Sequence, residues 1–197
     1  LKLFSRKLHE MTYMAPRVSG QKEYSINHNG AVAKNKNIKV GIIAGCVQDV
    51  FFRDVNQDTI DVLKINGYDV FMPEKNICCG SVHGHNGELD MAKNLARQLI
   101  DIFEQAGVDF IVLNSAGCGA YMKEYKHLLA NDIDYQEKAQ KFSEKVLDIT
   151  EFLVMNEWRQ PQSNESVSIT YHEPCHLVHT QKVSQEPRTV LKNIPGV

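Results

Sequence analysis

Short apolar runs alternate with helix-like segments along most of this chain, and that alternation constrains the fold more than any other feature of the sequence. The runs are Val40–Ala44, Tyr68–Met72 and Val108–Leu113. Between the last two, apolar residues from Leu89 to Ala106 recur at steps of three and four, which predicts an amphipathic helix. Continuous apolar runs are typical of strands buried on both faces, and strands that alternate with helices form parallel sheets. The sequence therefore predicts an α/β, Rossmann-like fold, in which helices flank a mostly parallel sheet.

Two more elements are predicted in the second half of the chain. A stripe of apolar residues from Tyr135 to Leu153 indicates one long helix, which ends before the polar segment around Pro161. The residues Val167–Tyr171 have the composition of a strand, and they lead to Cys175. We therefore predict a fourth strand at this position.

The pattern divides the chain into three parts. Residues 1–37 hold no sustained period and are interpreted as a linker, or as the tail of an upstream domain. Residues 38–160 form one complete unit. Residues 166–197 repeat its beginning, because aligning Cys175 on Cys46 sets a predicted strand before each cysteine. We expect a second unit that begins near residue 166 and is cut off.

Composition excludes several classes of function. The net charge of −2 and the lack of a basic stripe argue against nucleic acid as a partner. No stretch approaches the roughly 20 apolar residues that a membrane span requires. The chain contains no nucleotide-binding glycine fingerprint. Its five cysteines are an odd number and include an adjacent pair, which is typical of a reducing compartment rather than of a disulfide framework. The cytoplasm is the expected location.

Four of the cysteines occupy positions that suit a shared site: Cys46, Cys78, Cys79 and Cys118. Cys46 and Cys118 follow predicted strands, and the adjacent pair lies in the loop after another, so the thiols are expected to meet where α/β sheets bind ligands. Thiolates hold iron–sulfur clusters. Adjacent side chains diverge, so their sulfurs reach different irons more easily than one ion. Cys175 is a further candidate ligand, in the second unit.

Two alternatives remain open for the same thiols. Four cysteines also suit a closed tetrahedral zinc site, which would make the chain a structural or assembly module. Without any metal, Cys78 and Cys79 could cycle between dithiol and disulfide, since strained disulfides are the reactive kind. The zinc alternative uses all four cysteines, and the dithiol alternative uses only the adjacent pair.

Two histidines are candidates for supporting roles. His83 follows the cysteine pair and His176 follows Cys175, so each could donate a hydrogen bond to a cluster sulfur. A solvated loop histidine is the ordinary explanation for either one.

The cysteine-containing stretches also carry a family resemblance. They are Ala44-Gly-Cys-Val-Gln-Asp-Val-Phe-Phe52, Cys79-Gly-Ser-Val-His-Gly-His85, Asn114-Ser-Ala-Gly-Cys-Gly119 and Tyr171-His-Glu-Pro-Cys-His176. Together with the triplet Cys78-Cys79-Gly80 they resemble the cysteine-rich "CCG" domain. That domain is usually duplicated, and it occurs in heterodisulfide reductase B-type subunits, in C-type subunits of anaerobic glycerol-3-phosphate dehydrogenase and in lactate-utilisation proteins. The stretches are most similar to the iron–sulfur subunits of glycolate oxidases.

The resemblance implies a function and its partners. It implies an electron-transfer subunit of a glycolate, or other 2-hydroxy acid, dehydrogenase complex, in which flavoprotein subunits bind FAD and oxidise the substrate. This chain would carry an iron–sulfur cluster, of 4Fe-4S type, and pass electrons to an acceptor such as a membrane quinone. It would then lie in the cytoplasm or at the inner face of the membrane and would not be catalytic alone, so no catalytic residue is assigned.

The sequence departs from the family pattern at two places. The family's ferredoxin-like cysteine runs are missing, which would make residues 1–37 the tail of that domain. Ser115 stands where heterodisulfide reductase relatives have the first cysteine of a C-x-x-C pair. The cluster type of those relatives therefore does not transfer to this chain.

Overall fold

Four short parallel strands form the centre of the fold. In the computed structural model, which describes residues 23–26, 37–162 and 166–197, they are β1 (Lys39–Ile42), β2 (Asp69–Phe71), β3 (Phe110–Leu113) and β4 (Val146–Asp148). Their order in the sheet is β2-β1-β3-β4, and each neighbouring pair is parallel. The predicted α/β class with a parallel sheet is confirmed.

Helices connect the strands and cover both faces of the sheet. They are α1 (Cys46–Phe51), α2 (Arg53–Ile65), α3 (Ser81–His85), α4 (Leu89–Ala106), α5 (Ala116–Lys123), α6 (Tyr125–Leu128), α7 (Gln136–Lys145), α8 (Ile149–Met155), a one-turn π-helix (His176–Thr180) and α9 (Gln185–Lys192). The bounds of α4 are those that the apolar period predicts, and Gly107 ends it in the left-handed conformation.

Alternate residues of the central strand β3 point into two separate apolar clusters. Ile111 and Leu113 pack with residues of α4 and α7 on one face. Val112 packs on the other face with residues of β1, α2 and α8. Both sets are buried, which explains why the strands are continuous apolar runs rather than alternating ones.

The strand order creates a crevice at one edge of the sheet. From β1 the chain passes to β2 on one side, and it then crosses back to β3 on the other side of β1. In open α/β sheets, ligands bind outside the carboxyl ends of the strands at such a switch point. The segments that follow β1 and β3 begin at Ile43 and Asn114, so they line this crevice.

Two predictions about the second half of the chain are wrong. The predicted long helix from Tyr135 to Leu153 is interrupted by β4, because Val146–Asp148 pairs with β3. The helix α8 then starts at Ile149, and the side chain of Asp148, the residue before it, forms a capping box with Glu151. The helical spacing of apolar residues on both sides conceals so short a strand.

The predicted strand Val167–Tyr171 does not form within the described residues. This segment has no regular secondary structure and joins no sheet there, and Val167 and Ile169 are 51% and 48% exposed. A strand-like composition also needs a neighbouring strand for its backbone hydrogen bonds, and this segment pairs with none in the described ranges. The chain instead continues to the π-helix, which packs on α5, and to α9, which packs on α8.

The structure bears only in part on the predicted linker and on the predicted division of the chain into units. Most of the predicted linker, residues 1–37, lies outside the described residues, but residues 23–26 are described and contact the first unit. The division of the chain at residues 38–160 and 166–197 stays a prediction. Among the described helices, none has the length and apolar character that crossing a membrane requires.

Candidate metal centre

Glycines turn the chain at two of the cysteine segments. Gly45 has φ +71° and precedes Cys46, the first residue of α1. Gly80 has φ +79° and follows Cys79, and a Cβ atom there would come within 3.3 Å of the backbone of Ala92. Such φ values disfavour any residue with a side chain. The third segment reaches α5 without a glycine of positive φ, and Cys118 lies in the first turn of that helix.

The four predicted thiols meet as two pairs at the switch point. The Sγ atoms of Cys46 and Cys78 are 3.7 Å apart, which joins the segment after β1 to the segment after β2. Cys79 instead interacts with Cys118, in the segment after β3, and each of these two thiols shifts the pKa of the other. The adjacent cysteines therefore contact different partners. The two pairs are also coupled electrostatically, because Cys46 interacts with Cys118 and Cys79 interacts with Cys78.

The contact between Cys79 and Cys118 shifts the pKa values of the two thiols in opposite directions. Hydrogen bonds from Cys79 and from Ser115 lower the pKa of Cys118 to about 6, although burial opposes the change. The same contact with Cys118, together with burial, raises the pKa of Cys79 above its ordinary value. Ser115, at the position of the missing C-x-x-C cysteine, helps to stabilise the Cys118 thiolate.

The Cys46–Cys78 pair lies nearer to solvent. Burial and the hydrogen bond with Cys78 raise the pKa of Cys46. The backbone N–H of Gly80 donates to the Cys78 sulfur over 3.4 Å. Such N–H···S bonds are among the contacts that tune thiolate ligands in metal sites. Cys46 is exposed and Cys78 half-buried, so the crevice is open to a partner on this side.

A buried tyrosine fixes the position of the adjacent cysteines. The hydroxyl of Tyr125, a residue with no exposed surface, donates to the carbonyl oxygen of Cys79 over 2.6 Å. Cys79 itself belongs to the larger apolar cluster. The sequence gives no signal for this contact, since the two residues are 46 positions apart.

The other sequence candidates lie around this centre. Nδ1 of the His83 ring pairs with the Glu88 carboxylate over 2.6 Å, and the centre of the His176 ring lies 6.2 Å from that of His85. Neither imidazole has a hydrogen bond to a cysteine sulfur within the described ranges. Cys175 is exposed. Supporting roles for the two histidines and a ligand role for Cys175 stay predictions.

The chemistry of the donors fits a thiophilic metal group. Residues 23–26, 37–162 and 166–197 contain no set of three or more His, Cys, Asp or Glu side chains already arranged around a single ion. They do bring four thiols to one crevice as two pairs. Two adjacent cysteines that face different partners suit a group with several metal atoms, each of which takes its own thiolate.

Comparison with known proteins identifies the family. The model of the cysteine-rich (CCG) domain matches residues 40–123 and 169–197, which together make up more than half of the chain. This chain belongs to the cysteine-rich CCG domain family. The first matched range contains both thiol pairs, and the second contains Cys175. No solved structure matches the chain.

Curated relatives carry oxidoreductase names. The chain is 38% identical over 160 residues to the probable glycolate oxidase iron-sulfur subunit of Bacillus subtilis, an alignment of 80% of this chain and 36% of the relative. A fumarate reductase (CoM/CoB) subunit from Methanothermobacter marburgensis is 33% identical, over 88% of this chain and 34% of its own length. Lactate utilization protein A of Shouchella clausii is 30% identical, over 81% and 66%.

These relatives support an iron–sulfur, oxidoreductase-associated role for the chain. The chain spans only about a third of the length of the first two of them.

Proposed function

We propose that the chain is part of an iron–sulfur electron-transfer subunit in which Cys46, Cys78, Cys79 and Cys118 hold the cluster. The observation that carries the proposal is the meeting of four thiols from three strand ends at the switch point of the sheet. A bound cluster would supply one-electron chemistry, and a 4Fe-4S type accommodates one thiolate for each iron.

The chain's own residues hold the thiolates and adjust their environment. Tyr125 fixes the backbone of Cys79, while Ser115 and the Gly80 N–H donate toward Cys118 and Cys78. Donors to thiolate sulfur and the degree of exposure are means by which proteins set a cluster's potential. The apolar floor under Cys79 keeps water from one side of the site.

The substrate and partners of the whole complex are the finer part of the proposal. The complex oxidises glycolate or a related 2-hydroxy acid on flavoprotein subunits that bind FAD, and this chain relays the electrons to an acceptor such as a membrane quinone. The names of two relatives, for glycolate oxidase and lactate utilization, support that substrate class.

The proposal also covers the cellular location of the chain and the second CCG unit. All five cysteines are free thiols, which supports a reducing cytoplasmic compartment, at the inner face of the membrane where a quinone acceptor is used. Residues 166–197 are the beginning of a second CCG unit. The separate family match over residues 169–197 supports this division.

Metal and sulfide analysis tests the proposal. After anaerobic reconstitution with iron and sulfide, the chain should contain both elements and absorb visible light, and Cys78→Ser should lose most of that absorption. Cys175→Ser is the matched control, because Cys175 is exposed and lies outside the two thiol pairs. A colourless protein without sulfide would reject the iron–sulfur assignment.

Zinc is a second candidate, favoured by one distance. Two sulfurs bound to one tetrahedral ion at about 2.3 Å lie roughly 3.8 Å apart. The Cys46–Cys78 separation of 3.7 Å matches that value. Purified chain that contains stoichiometric zinc and no sulfide, and that unfolds at lower temperature after chelation, would support a structural zinc site instead.

A further inference from the structure

A polar network joins the upstream segment 23–26 to the cysteine crevice. Its centre is the half-buried hydroxyl of Tyr24, which donates to Asp49 and accepts from Asn56 over 3.0 Å. Asp49 lies in α1, three residues after Cys46. The sequence pattern predicts only a linker here, because the partners of Tyr24 are at least 25 positions away.

Two more contacts hold the same segment in place. The guanidinium of Arg53 lies 3.8 Å from the centre of the Tyr24 ring and is ion-paired with Asp49. The side-chain amide of Gln57 binds both backbone groups of Ser25, accepting from its N–H over 2.9 Å and donating to its carbonyl over 3.1 Å. The segment is therefore fixed at both side chain and backbone.

The network reaches both members of one thiol pair. Asn76, two residues before Cys78, donates to the carbonyl of Gly45 over 2.7 Å and to Asp49 over 3.3 Å. Asp49 thus receives bonds from the upstream segment and from the segment of Cys78, while it belongs to the helix that starts at Cys46.

The far side of the network reaches the strand ends. Asn56 is fully buried and donates to the carbonyl of Ala44 over 2.9 Å, just after β1. Its oxygen accepts from Asn114 over 2.9 Å, just after β3. Burial and the bond to Asp49 raise the pKa of Tyr24 to about 12, so its hydroxyl is a donor at neutral pH.

We propose that Tyr24 is a positioning residue of the cysteine site: through Asp49 it holds the segment 23–26 against α1 and keeps Cys46 beside Cys78. This role in thiol geometry is a property of the chain itself, and only its use in holding a cluster rests on the proposed function. Removing the Tyr24 hydroxyl leaves Asp49 with fewer donors and frees α1 to move away from Asn76. Two groups that are held in position for a reaction react more slowly when that positioning is lost.

Disulfide formation in the metal-free chain measures this geometry directly. A limiting amount of the azo compound diamide takes up two electrons and two protons as the Cys46 and Cys78 thiols form an S–S bond, and peptide mapping gives the rate. Tyr24→Phe should slow this rate about three- to tenfold, the change expected for the loss of one hydrogen bond. Asp49→Ala should slow it similarly, and the double variant little more.

Tyr135→Phe is the matched control. Tyr135 also donates to an aspartate, Asp101, over 2.7 Å and also has an arginine near its ring, Arg97, at 5.8 Å, but neither partner belongs to the network around Asp49. Its variant should leave the Cys46–Cys78 rate unchanged. An unchanged or faster rate in Tyr24→Phe, or equal slowing in Tyr135→Phe, would overturn the proposal.

A second readout uses the reconstituted protein. The visible spectrum of Tyr24→Phe should shift or bleach faster in air than that of Tyr135→Phe. If reconstitution fails in the wild type, the proposed function fails, whereas the diamide result still decides the role of Tyr24.

Discussion

The two cysteine-containing regions of this chain share a motif but differ in what surrounds it. In the first region, residues 40–123, the cysteines follow strands of a sheet and meet as two pairs. In the second, Cys175 follows an irregular segment that joins no strand in the described residues, and the thiol is exposed. In the first region the strand order brings thiols from three segments to one edge of the sheet, whereas the second region holds one cysteine and no strand in the described residues.

The largest expected difference between the two regions is in stability. Phe152→Ala removes a fully buried ring of α8 that packs on Tyr68 and Phe110 of the first region, and it should lower the free energy of unfolding by about 3–5 kcal/mol. Ile169→Ala, at an exposed position of the irregular segment, should change it by less than about 0.5 kcal/mol. Urea denaturation of both variants measures the difference, and a similar loss in both would mean that the second region is as well packed as the first.

Gly80 provides the next contrast, within the first region. Gly80→Ala places a Cβ at positive φ and 3.3 Å from the Ala92 backbone, so it should cost about 1–3 kcal/mol of stability. Gly87→Ala also has positive φ but open space around it, so it should cost less, about 1 kcal/mol. Thermal unfolding separates the two effects. Equal costs would show that crowding behind the cysteine pair is unimportant.

Two buried tyrosine hydroxyls should give a smaller difference in stability. Tyr125→Phe leaves the Cys79 carbonyl without its buried donor and should cost about 1–2 kcal/mol. In the second region the Tyr171 hydroxyl is buried without a partner in the described part of the chain. Tyr171→Phe should therefore be neutral or stabilising, because it removes a polar group that forms no bond. Denaturation midpoints compare them, and a destabilising Tyr171→Phe would indicate a partner for that hydroxyl.

The sequence predicts the part of the fold that depends on local periodicity. The bounds of α4 and the positions of β1, β2 and β3 follow from apolar spacing alone. The strand β4 could not be predicted, because three residues inside a helical stripe carry too little pattern. The strand-like composition of Val167–Tyr171 was misleading, since a strand also requires a partner that local sequence does not reveal.

The candidate site also has features that the sequence predicts and features that only the fold reveals. The four cysteines are recognisable because each follows a predicted strand or lies in the loop after one. The pairing of Cys46 with Cys78 and of Cys79 with Cys118 depends on strand order, which composition does not fix. The supporting contacts of Tyr24 and Tyr125 join residues far apart in the chain, so only the folded structure reveals them.

The most direct test of the four-thiol site is a set of five single Cys→Ser variants, reconstituted anaerobically and compared by iron, sulfide and visible absorption. The account predicts that variants at Cys46, Cys78, Cys79 and Cys118 each lose most of the iron, sulfide and absorption of the wild type. It predicts that Cys175→Ser retains the wild-type values. Equal loss in Cys175→Ser, or full retention in any two of the other four, would contradict the account.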